Sequence, residues 1–376
     1  MTRRRRDGFA LIIALLAIAL VGAFVAGAWM IVTREFKSSQ AASAAQRAME
    51  AAEYAATLPT ERWSPGDALT ATLGSTFVQG SMALAGGAVA RWRMQRLSPT
   101  TFLSQGEGSF GDARRATALF LRLVLPDFDT TAALTVRDSA LVHAGGTVSG
   151  ADAIPTNWVG LGCTLGVGGA GAAAPDTTHV CDGNCASAAG VGIVGSPARY
   201  ADSTAADSAR YTQFGSETWA SLTARASVVL APNATMTPGP VIVGGSCDRR
   251  AVANWGDPLL TTACGDYFPI IYARGDVTLI GGMGQGILLA EGDVILSGAT
   301  RFVGVIVARD DVRSSAGGAH VYGTVLAEDR VVSDGVHPDI AAAGVIERST
   351  CAVARAATGA APLRRVRERS WTPIYE

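Results

Sequence analysis

The stretch RRRRDGFALIIALLAIALVGAFVAGAWMIV, residues 3 to 32, decides how the rest of the chain is interpreted. It opens with four arginines, and no charged residue occurs between Phe9 and Val32. A helix over these 24 residues would be about 36 Å long at ~1.5 Å per residue, which is enough to cross a bilayer. A secretory signal peptide has a shorter apolar core and a small-residue cleavage site, so the run predicts a membrane helix that stays on the protein.

The helix is predicted to continue well beyond the membrane. From Thr33 to Leu58 the sequence contains neither Gly nor Pro and is rich in Ala, the strongest helix former, and Pro59 follows. We therefore expect one helix from Phe9 to Leu58. Its outer half carries a face of small residues on which a neighbouring helix can lie closely: Ala41, Ala44, Ala45, Ala48, Ala52, Ala55 and Ala56. A plain membrane stalk is the alternative reading of this segment.

The arginines before the apolar run set the expected orientation. Positive charge holds a terminus in the cytoplasm, so the chain after Thr33 is predicted to lie outside, in an oxidising space where disulfides persist. Loop proximity favours a Cys247–Cys264 bond, then Cys163 with Cys181 or Cys185, with Cys351 reaching back. The six disulfide candidates are Cys163, Cys181, Cys185, Cys247, Cys264 and Cys351. A zinc site from Cys163, His179, Cys181 and Cys185 is disfavoured because the spacing matches no paired CxxC pattern.

A family resemblance rests on the leader and the helix. A basic leader ending in Gly8, an aromatic Phe9 that opens the helix, and RAMEAAEYA from Arg47 to Ala55 resemble the class III (prepilin) signal of type IV pilins, most closely PilX-like minor pilins and pseudopilins. The resemblance implies cleavage by prepilin peptidase between Gly8 and Phe9, methylation of the Phe9 amine, and packing with other pilins. The filament-packing positions would include Ile13, Leu16 and Leu20.

The same resemblance implies a location. The chain would first be a single-pass protein in the lipid of the inner membrane, with a cytoplasmic amino terminus and a periplasmic bulk, and would then join a pilus at the cell surface. One position departs from the pattern: major pilins usually carry Glu at the fifth mature position, and Ile13 stands there. The departure resembles pseudopilins and many PilX-like proteins, which implies a minor, priming or tip-associated subunit.

Residues 59–130 predict a small antiparallel sheet. Three strand-like segments start near Ala90, Thr100 and Arg114 and are separated by turn-forming residues. Such a sheet needs cover on one face, which the outer half of the long helix can supply. The arginines of these strands are more typical of a solvated strand face than of a binding patch.

The last third of the chain contains an internal repeat. Aligning Ala273, Ala290, Ala308 and Ala327 gives steps of 17, 18 and 19 residues. Each unit has an apolar strand, a charged turn, a second apolar strand and a Gly-rich corner, which fits one coil of a parallel β-solenoid. The inward ladder is predicted to be formed by Ile271, Leu288, Ile306 and Val325.

The predicted fold class is therefore α+β: a long pilin-type helix with a small antiparallel sheet, followed by a β-solenoid, or parallel β-helix-like, domain. The expected divisions are a leader at 1–8, the helix at 9–58, the sheet at 59–130, the solenoid at 131–346 and a polar cap or tail at 347–376. We expect a cysteine-containing irregular insertion at about 155–240, with the chain entering the solenoid again near Gly239. The repeat resembles the β-helices of bactofilins and of PilX-like proteins.

The sequence carries little that predicts chemistry. Arg274-Gly275-Asp276 is one of the repeated turns rather than an adhesion motif, and Asp276, Asp293 and Asp311 can line one edge. Calcium binding there is weaker as an interpretation than solvated turn carboxylates. The histidines are scattered and show no triad or metal spacing, so we expect no enzyme activity and no cofactor. A formal net charge of -1 gives no reason to expect a nucleic-acid partner.

Two functions fit these features. In the first, the protein is a minor pilin-like subunit that enters or primes a type IV pilus or related secretion filament, at its tip. In the second, the Gly8–Phe9 junction is incidental, and the chain is a membrane-anchored extracytoplasmic β-helical scaffold or adhesin.

Overall fold

A computed structural model describes residues 7–63, 66–182, 192–330, 337–366 and 371–374. The chain forms two compact units. Unit 1 comprises Met1–Arg62, Leu73–Leu121 and Arg365–Glu376, and unit 2 comprises Trp63–Thr72 and Arg122–Arg364. The described helices are α1 (Asp7–Glu61), α2 (Asp67–Thr70), α3 (Trp219–Thr223) and α4 (Thr350–Ala360).

The described strands follow in chain order. They are β1 (Thr76–Ala83), β2 (Val89–Arg96), β3 (Thr101–Phe110), β4 (Ala113–Leu123), β5 (Ala132–Val136), β6 (Ala140–Val142), β7 (Thr147–Ser149), β8 (Ala170–Ala174), β9 (Val180–Asp182), β10 (Ile193–Val194), β11 (Arg199–Ala201), β12 (Gln213–Phe214), β13 (Glu217–Thr218), β14 (Val228–Leu230), β15 (Ala234–Met236), β16 (Ile242–Val243), β17 (Ser246–Cys247), β18 (Ile270–Ala273), β19 (Val277–Ile280), β20 (Met283–Ala290), β21 (Val294–Ser297), β22 (Arg301–Ala308), β23 (Val312–Ala316), β24 (His320–Ala327), β25 (Asp339–Ile340), β26 (Val345–Arg348), β27 (Leu363–Arg365) and β28 (Trp371–Ile374).

Unit 1 is the long helix laid on an antiparallel sheet. Strands β1, β2, β3 and β4 pair in sequence order, and β28 pairs antiparallel with β4. The three predicted strands correspond to β2, β3 and β4, so the small antiparallel sheet is confirmed. Strand β1 was not predicted because it alternates between exposed and half-buried positions and lies at the edge of the sheet.

The helix and sheet touch through residues with almost no side chain. Positions 104, 106 and 108 lie on one face of β3, and a Cβ added at Gly106 or Gly108 would collide with the backbone of Ala52 or Ala48. Ser104 Oγ donates a hydrogen bond to the Ala56 carbonyl oxygen at 2.7 Å. The small-residue face predicted to contact a neighbouring helix is therefore partly used inside the unit: of its alanines, Ala48, Ala52, Ala55 and Ala56 are buried.

The helix does not stop at Leu58 as predicted. It runs to Glu61 and contains Pro59. Proline removes one helical hydrogen bond, but this happens in the last turn, where little of the helix remains to be disrupted. Leu58 packs with Ala90 and Trp92 of the sheet, and this burial favours keeping the last turn helical.

Unit 2 contains two parallel sheets. The first has the order β10-β7-β26-β24-β22-β20-β18-β14, with β5, β8 and β11 attached, and the second has the order β15-β19-β21-β23-β25-β6-β9. Each coil contributes one strand to each sheet, with the repeated charged turn between them, as in β20 and β21. The β-solenoid of the predicted fold class is therefore confirmed.

The predicted inward ladder is present in register. Ile271 pairs with Leu288, Leu288 with Ile306, and Ile306 with Val325, and all four are fully buried. The ladder continues to Val228 at one end and to Leu134 at the other. These side chains meet residues of the second sheet, such as Val277, Val294 and Val312, in one apolar core.

The coils do not stack in sequence order. Strand β5, which comes first in the chain, pairs with β24 near the end of the repeat, and β8 and β11 then extend the sheet beyond β5. The chain returns to the opposite end of the stack through β14. The expected irregular insertion at 155–240 is thus wrong in part, because β8, β9, β10, β11 and β14 are solenoid strands. Entry near Gly239 is also wrong: β16 and β17 form a separate hairpin there.

The expected polar cap at 347–376 is replaced by a covering helix. Helix α4 lies on β20, β22 and β24 and buries Ala352, Val353, Ala356 and Ala360 against the outer face of the first sheet. A parallel sheet is buried on both faces, and α4 supplies part of the second cover. Ser349 caps the helix by accepting a hydrogen bond from the Ala352 N–H.

A larger side chain at the contact between α1 and β3 should destabilise unit 1. We expect Gly108→Ala to lower the midpoint of thermal unfolding of the full chain in detergent, because the new Cβ meets helix backbone that cannot rotate away. Overpacking of this kind costs about 1–3 kcal/mol. Glu107→Ala, at an exposed position of the same strand, is the matched control and should leave the midpoint nearly unchanged. Equal effects of the two variants would contradict the contact.

Truncation of a buried ladder residue should lower the stability of unit 2. Ile306→Ala should destabilise unit 2 by about 2–5 kcal/mol, because it leaves a cavity among stacked coils. Ile280→Ala is the control, since Ile280 is 49% exposed on the second sheet, and it should change stability by less than about 0.5 kcal/mol. Chemical unfolding followed by circular dichroism measures both, and a tolerated Ile306→Ala would argue against the ladder.

Candidate functional site

The first half of α1 exposes a long apolar surface. Ile13, Leu16 and Leu20 are 54%, 62% and 52% exposed, and the large side chains along the described helix from Leu11 to Val32 are similarly open. The helix is long and apolar enough to cross a membrane by length and composition. A patch of this size in contact with water would be strongly unfavourable, so it needs lipid or protein around it.

The surface ends where polar residues begin. The Thr33 hydroxyl donates hydrogen bonds to the carbonyl oxygens of Trp29 and Met30, at 2.9 and 3.0 Å. Arg34, Glu35 and Lys37 follow within one turn. The change in side-chain character therefore falls about halfway along one continuous helix, and the second half packs on the sheet of unit 1.

One side of the apolar surface has a shallow groove that includes three small residues. Ala17, Gly22 and Ala26 lie there among larger side chains: Ile18, Val21, Val25 and Trp29. A Cβ built at Gly22 would meet nothing within 4 Å. Small residues let helices approach closely, and packing of this type replaces hydrophobic force between helices in lipid.

The predicted processing junction lies at the start of this helix. The described helix begins at Asp7, so Gly8 and Phe9 have helical backbone. Residues 1–6, which include the leader arginines, lie outside the described residues. Cleavage and methylation at this junction stay predictions. Ile13 is the residue at the fifth mature position, and no charged residue lies between Phe9 and Val32 to replace the missing carboxylate.

The disulfides agree with one sequence prediction and correct another. Cys247 is bonded to Cys264, with Cα atoms 5.0 Å apart, as loop proximity predicts. Cys163 is bonded to Cys351, with Cα atoms 5.7 Å apart, so pairing of Cys163 with Cys181 or Cys185 is wrong. Cys181 is also disulfide-bonded, and Cys185 lies outside the described residues. Cysteines bonded in this way cannot form the zinc site considered from the sequence.

The three turn aspartates have different environments. Asp276 accepts a hydrogen bond from the Asp293 N–H at 2.9 Å, and Asp293 accepts one from the Asp311 N–H at 3.1 Å. The first two carboxylates thus hold adjacent coils together and do not form a line of calcium ligands. Asp311 lies instead in a cluster with Asp310 and Asp329, whose candidate ligand atoms are all within 4.8 Å of one another.

The carboxylates around Asp311, which we call the acidic corner, also include Asp310, Asp329 and Asp138, and these three were not predicted from the sequence. Asp329 also belongs to a second group with Asp138 and His337. Asp138 lies far from the repeat in sequence and arrives there because β5 stacks on β24. The sequence signal was the similarity of Arg137-Asp138 to Arg309-Asp310, which occupy corresponding turns.

The histidines do not assemble a catalytic site in the described part of the chain. Each pairs with its own carboxylate: His143 with Asp339, His179 with Asp138, His320 with Glu347 and His337 with Asp329. The hydrogen bond from His320 lowers the pKa of Glu347 below its usual value. These pairs join neighbouring coils or turns, for example β24 and β26.

Comparison with known proteins gives little. No protein-family model matches the sequence, and no curated protein matches it either. Among solved structures, the chain is similar to the competence-associated pilin ComZ from Thermus thermophilus, with 13% identity, a TM-score of 0.24, and coverage of 89% of this chain and 98% of that one. A likeness at this TM-score carries no argument about fold or function.

The Cys163–Cys351 bond yields a test of the architecture. Cys163→Ser, Cys351→Ser and the double variant should lower the unfolding midpoint equally, because each removes the same bond. Loss of a native disulfide costs about 2–5 kcal/mol. Peptide mapping without reductant should recover the Cys163 peptide joined to the Cys351 peptide. A Cys163 peptide joined to Cys181 or Cys185 would refute this pairing.

Proposed function

We propose that the protein is a minor pilin-like subunit, processed between Gly8 and Phe9 by prepilin peptidase and assembled with other pilins into a type IV pilus or related secretion filament. It would start as a single-pass inner-membrane protein with the described domains in the periplasm. After processing, α1 would leave lipid and pack among the corresponding helices of neighbouring subunits. The resemblance of the leader and the helix start to prepilins supports this proposal.

The single observation that carries the proposal is the two-part construction of α1. One half exposes apolar side chains along its length, and the other half of the same helix is packed into unit 1 through glycine and alanine contacts. A stalk needs only to tether a domain. A filament subunit needs its assembly helix to continue into a folded domain. Packing of the helix then fixes the position of that domain, which here is the sheet of unit 1.

The exposed half of α1 is suited to move from a lipid environment into contact with neighbouring helices. Lipid chains are as apolar as Leu and Ile, so helix association in the membrane depends on close packing rather than on the hydrophobic effect. The groove formed by Ala17, Gly22 and Ala26 offers such packing. A neighbouring helix could enter it without displacing any side chain near Gly22.

A minor position in the filament follows from charge and size. Ile13 offers no carboxylate to the amino terminus of a neighbouring subunit, so the charge pairing of a major pilin shaft is absent from this chain. Unit 2 includes Arg122–Arg364, which is a large domain to repeat at every position of a shaft. Priming of assembly, or a place at the tip, suits both features.

Mass spectrometry of the native amino terminus tests the proposal. The expected mature chain begins with a methylated Phe9 and has 376 − 8 = 368 residues. Gly8→Ala should leave the leader attached and remove the protein from sheared filaments. Gly27→Ala is the matched control, because it makes the same change at another helical glycine with nothing within 4 Å of its added Cβ. It should be processed and recovered normally.

The alternative function has its own signature in the same experiment. An intact leader on the native protein, with unchanged localisation of Gly8→Ala, would replace the proposal with a membrane-anchored β-helical scaffold or adhesin.

A further inference from the structure

The turn between the two solenoid sheets repeats an aspartate. It occurs as Asp276 after β18, Asp293 after β20 and Asp311 after β22. At the first two steps the carboxylate of one coil accepts the backbone N–H of the aspartate in the next coil, at 2.9 and 3.1 Å. The repeat thus builds a short ladder in which the Asp276 and Asp293 carboxylates each have an N–H partner.

The ladder ends at Asp311. In the next coil Arg330 stands at the position equivalent to Asp311, because Ala308 pairs with Ala327. Asp329 lies one residue earlier, beside Asp310, and its N–H bonds to the carbonyl oxygen of Asp310 at 3.2 Å. Asp311 is 3% exposed, and its Oδ1 has no hydrogen-bond partner among the described residues. Since buried polar atoms are almost always satisfied, this oxygen indicates a missing partner.

Two more carboxylates face the same point. The candidate ligand atoms of Asp310, Asp311 and Asp329 are mutually within 4.8 Å, and Asp329 is 1% exposed. On its other side Asp329 Oδ2 is 3.2 Å from His337 Nδ1, and Asp138 adjoins this pair. Concentrating buried negative charge is costly unless a cation compensates it.

The nearby arginines are engaged with other carboxylates. Arg309 pairs with Glu328, and Arg313 pairs with Asp293. Arg330 contacts Glu291 at 3.1 Å and Glu328 at 3.8 Å. Within the described residues, none of these three arginines pairs with Asp311 or Asp329.

We propose that Asp310, Asp311 and Asp329 bind a divalent cation of the calcium class at this corner. The donors are hard carboxylate oxygens, which calcium prefers and which zinc sites seldom use alone. Magnesium is usually held by one or two carboxylates and keeps several waters, whereas calcium accepts about six to eight oxygen ligands in flexible geometry, so a group of three carboxylates favours calcium.

The position of the site gives the cation a structural task. Asp310 and Asp311 follow β22, Asp329 follows β24, and Asp138 follows β5, which stacks on β24 out of sequence order. A cation would join the end of the regular repeat to the coil contributed by the earlier part of the chain. Calcium should therefore stabilise unit 2 specifically.

Calcium binding to the full chain in detergent tests the proposal. After removal of metal with a chelator, calcium chloride should give a saturable isothermal titration signal and raise the unfolding midpoint, and magnesium chloride should bind at least about tenfold more weakly. Asp311→Asn and Asp329→Asn should each weaken calcium binding by about tenfold or more. Asn tolerates the positive φ of 47° at Asp329, so that variant retains the backbone.

Asp276→Asn is the matched control, because it makes the same change in the equivalent turn while its amide oxygen can still accept the Asp293 N–H. It should bind calcium as the parent does. In chelator, Asp311→Asn should unfold at the same or a higher temperature than the parent, because a neutral amide at this buried position avoids the cost of burying a carboxylate. The proposal is overturned if the parent binds no calcium, if magnesium binds equally well, or if Asp311→Asn retains full calcium affinity.

Discussion

The contact between α1 and β3 is the constraint on which unit 1 depends. Gly106 and Gly108 lie against the backbone of Ala52 and Ala48, so the helix approaches the sheet more closely than any larger side chain allows. This contact secures one half of a helix whose other half exposes only uncharged residues up to Val32. Because a continuous helix transmits orientation along its length, partners packed on the exposed half would determine the position of the sheet as well. A flexible tether would lose that coupling.

A different constraint governs unit 2. A coil of about 18 residues cannot bury its apolar face alone, so every coil needs a neighbour. The chain meets this need out of order, because β5 completes the first sheet beside β24 and α4 covers the outer face of β20 and β22. The junction that results brings Asp138 to the corner where the aspartate ladder of the repeat ends. The out-of-order strand pairing and the cluster of carboxylates thus occur at the same place.

The sequence was informative where local pattern and structure share a period. The ladder of Ile271, Leu288, Ile306 and Val325 could be predicted because a repeat with near-constant spacing places equivalent residues in register. The stacking of β5 on β24 could not be predicted, because the local sequence of a strand does not specify which distant strand will pair with it. The Cys163–Cys351 bond was missed for the same reason: it depends on where α4 is placed. The acidic corner required both the repeat and the out-of-order coil, so only Asp311 of its members was considered.

Because no charged residue lies between Phe9 and Val32, this half of α1 cannot discriminate between neighbouring helices by charge pairing. A carboxylate in lipid or in a helix bundle is costly unless a particular partner meets it, and so it discriminates strongly between arrangements. Ile13 provides no such discrimination, which leaves shape as the selective property of this surface. Ala17, Gly22 and Ala26 lie with Val21 and Trp29 in one shallow groove, so small and large side chains together set the shape of this surface. In the proposed filament, selection by shape would suit a subunit that enters the assembly at few positions, because each contact would have to fit a defined neighbour rather than propagate one charge pairing along a shaft.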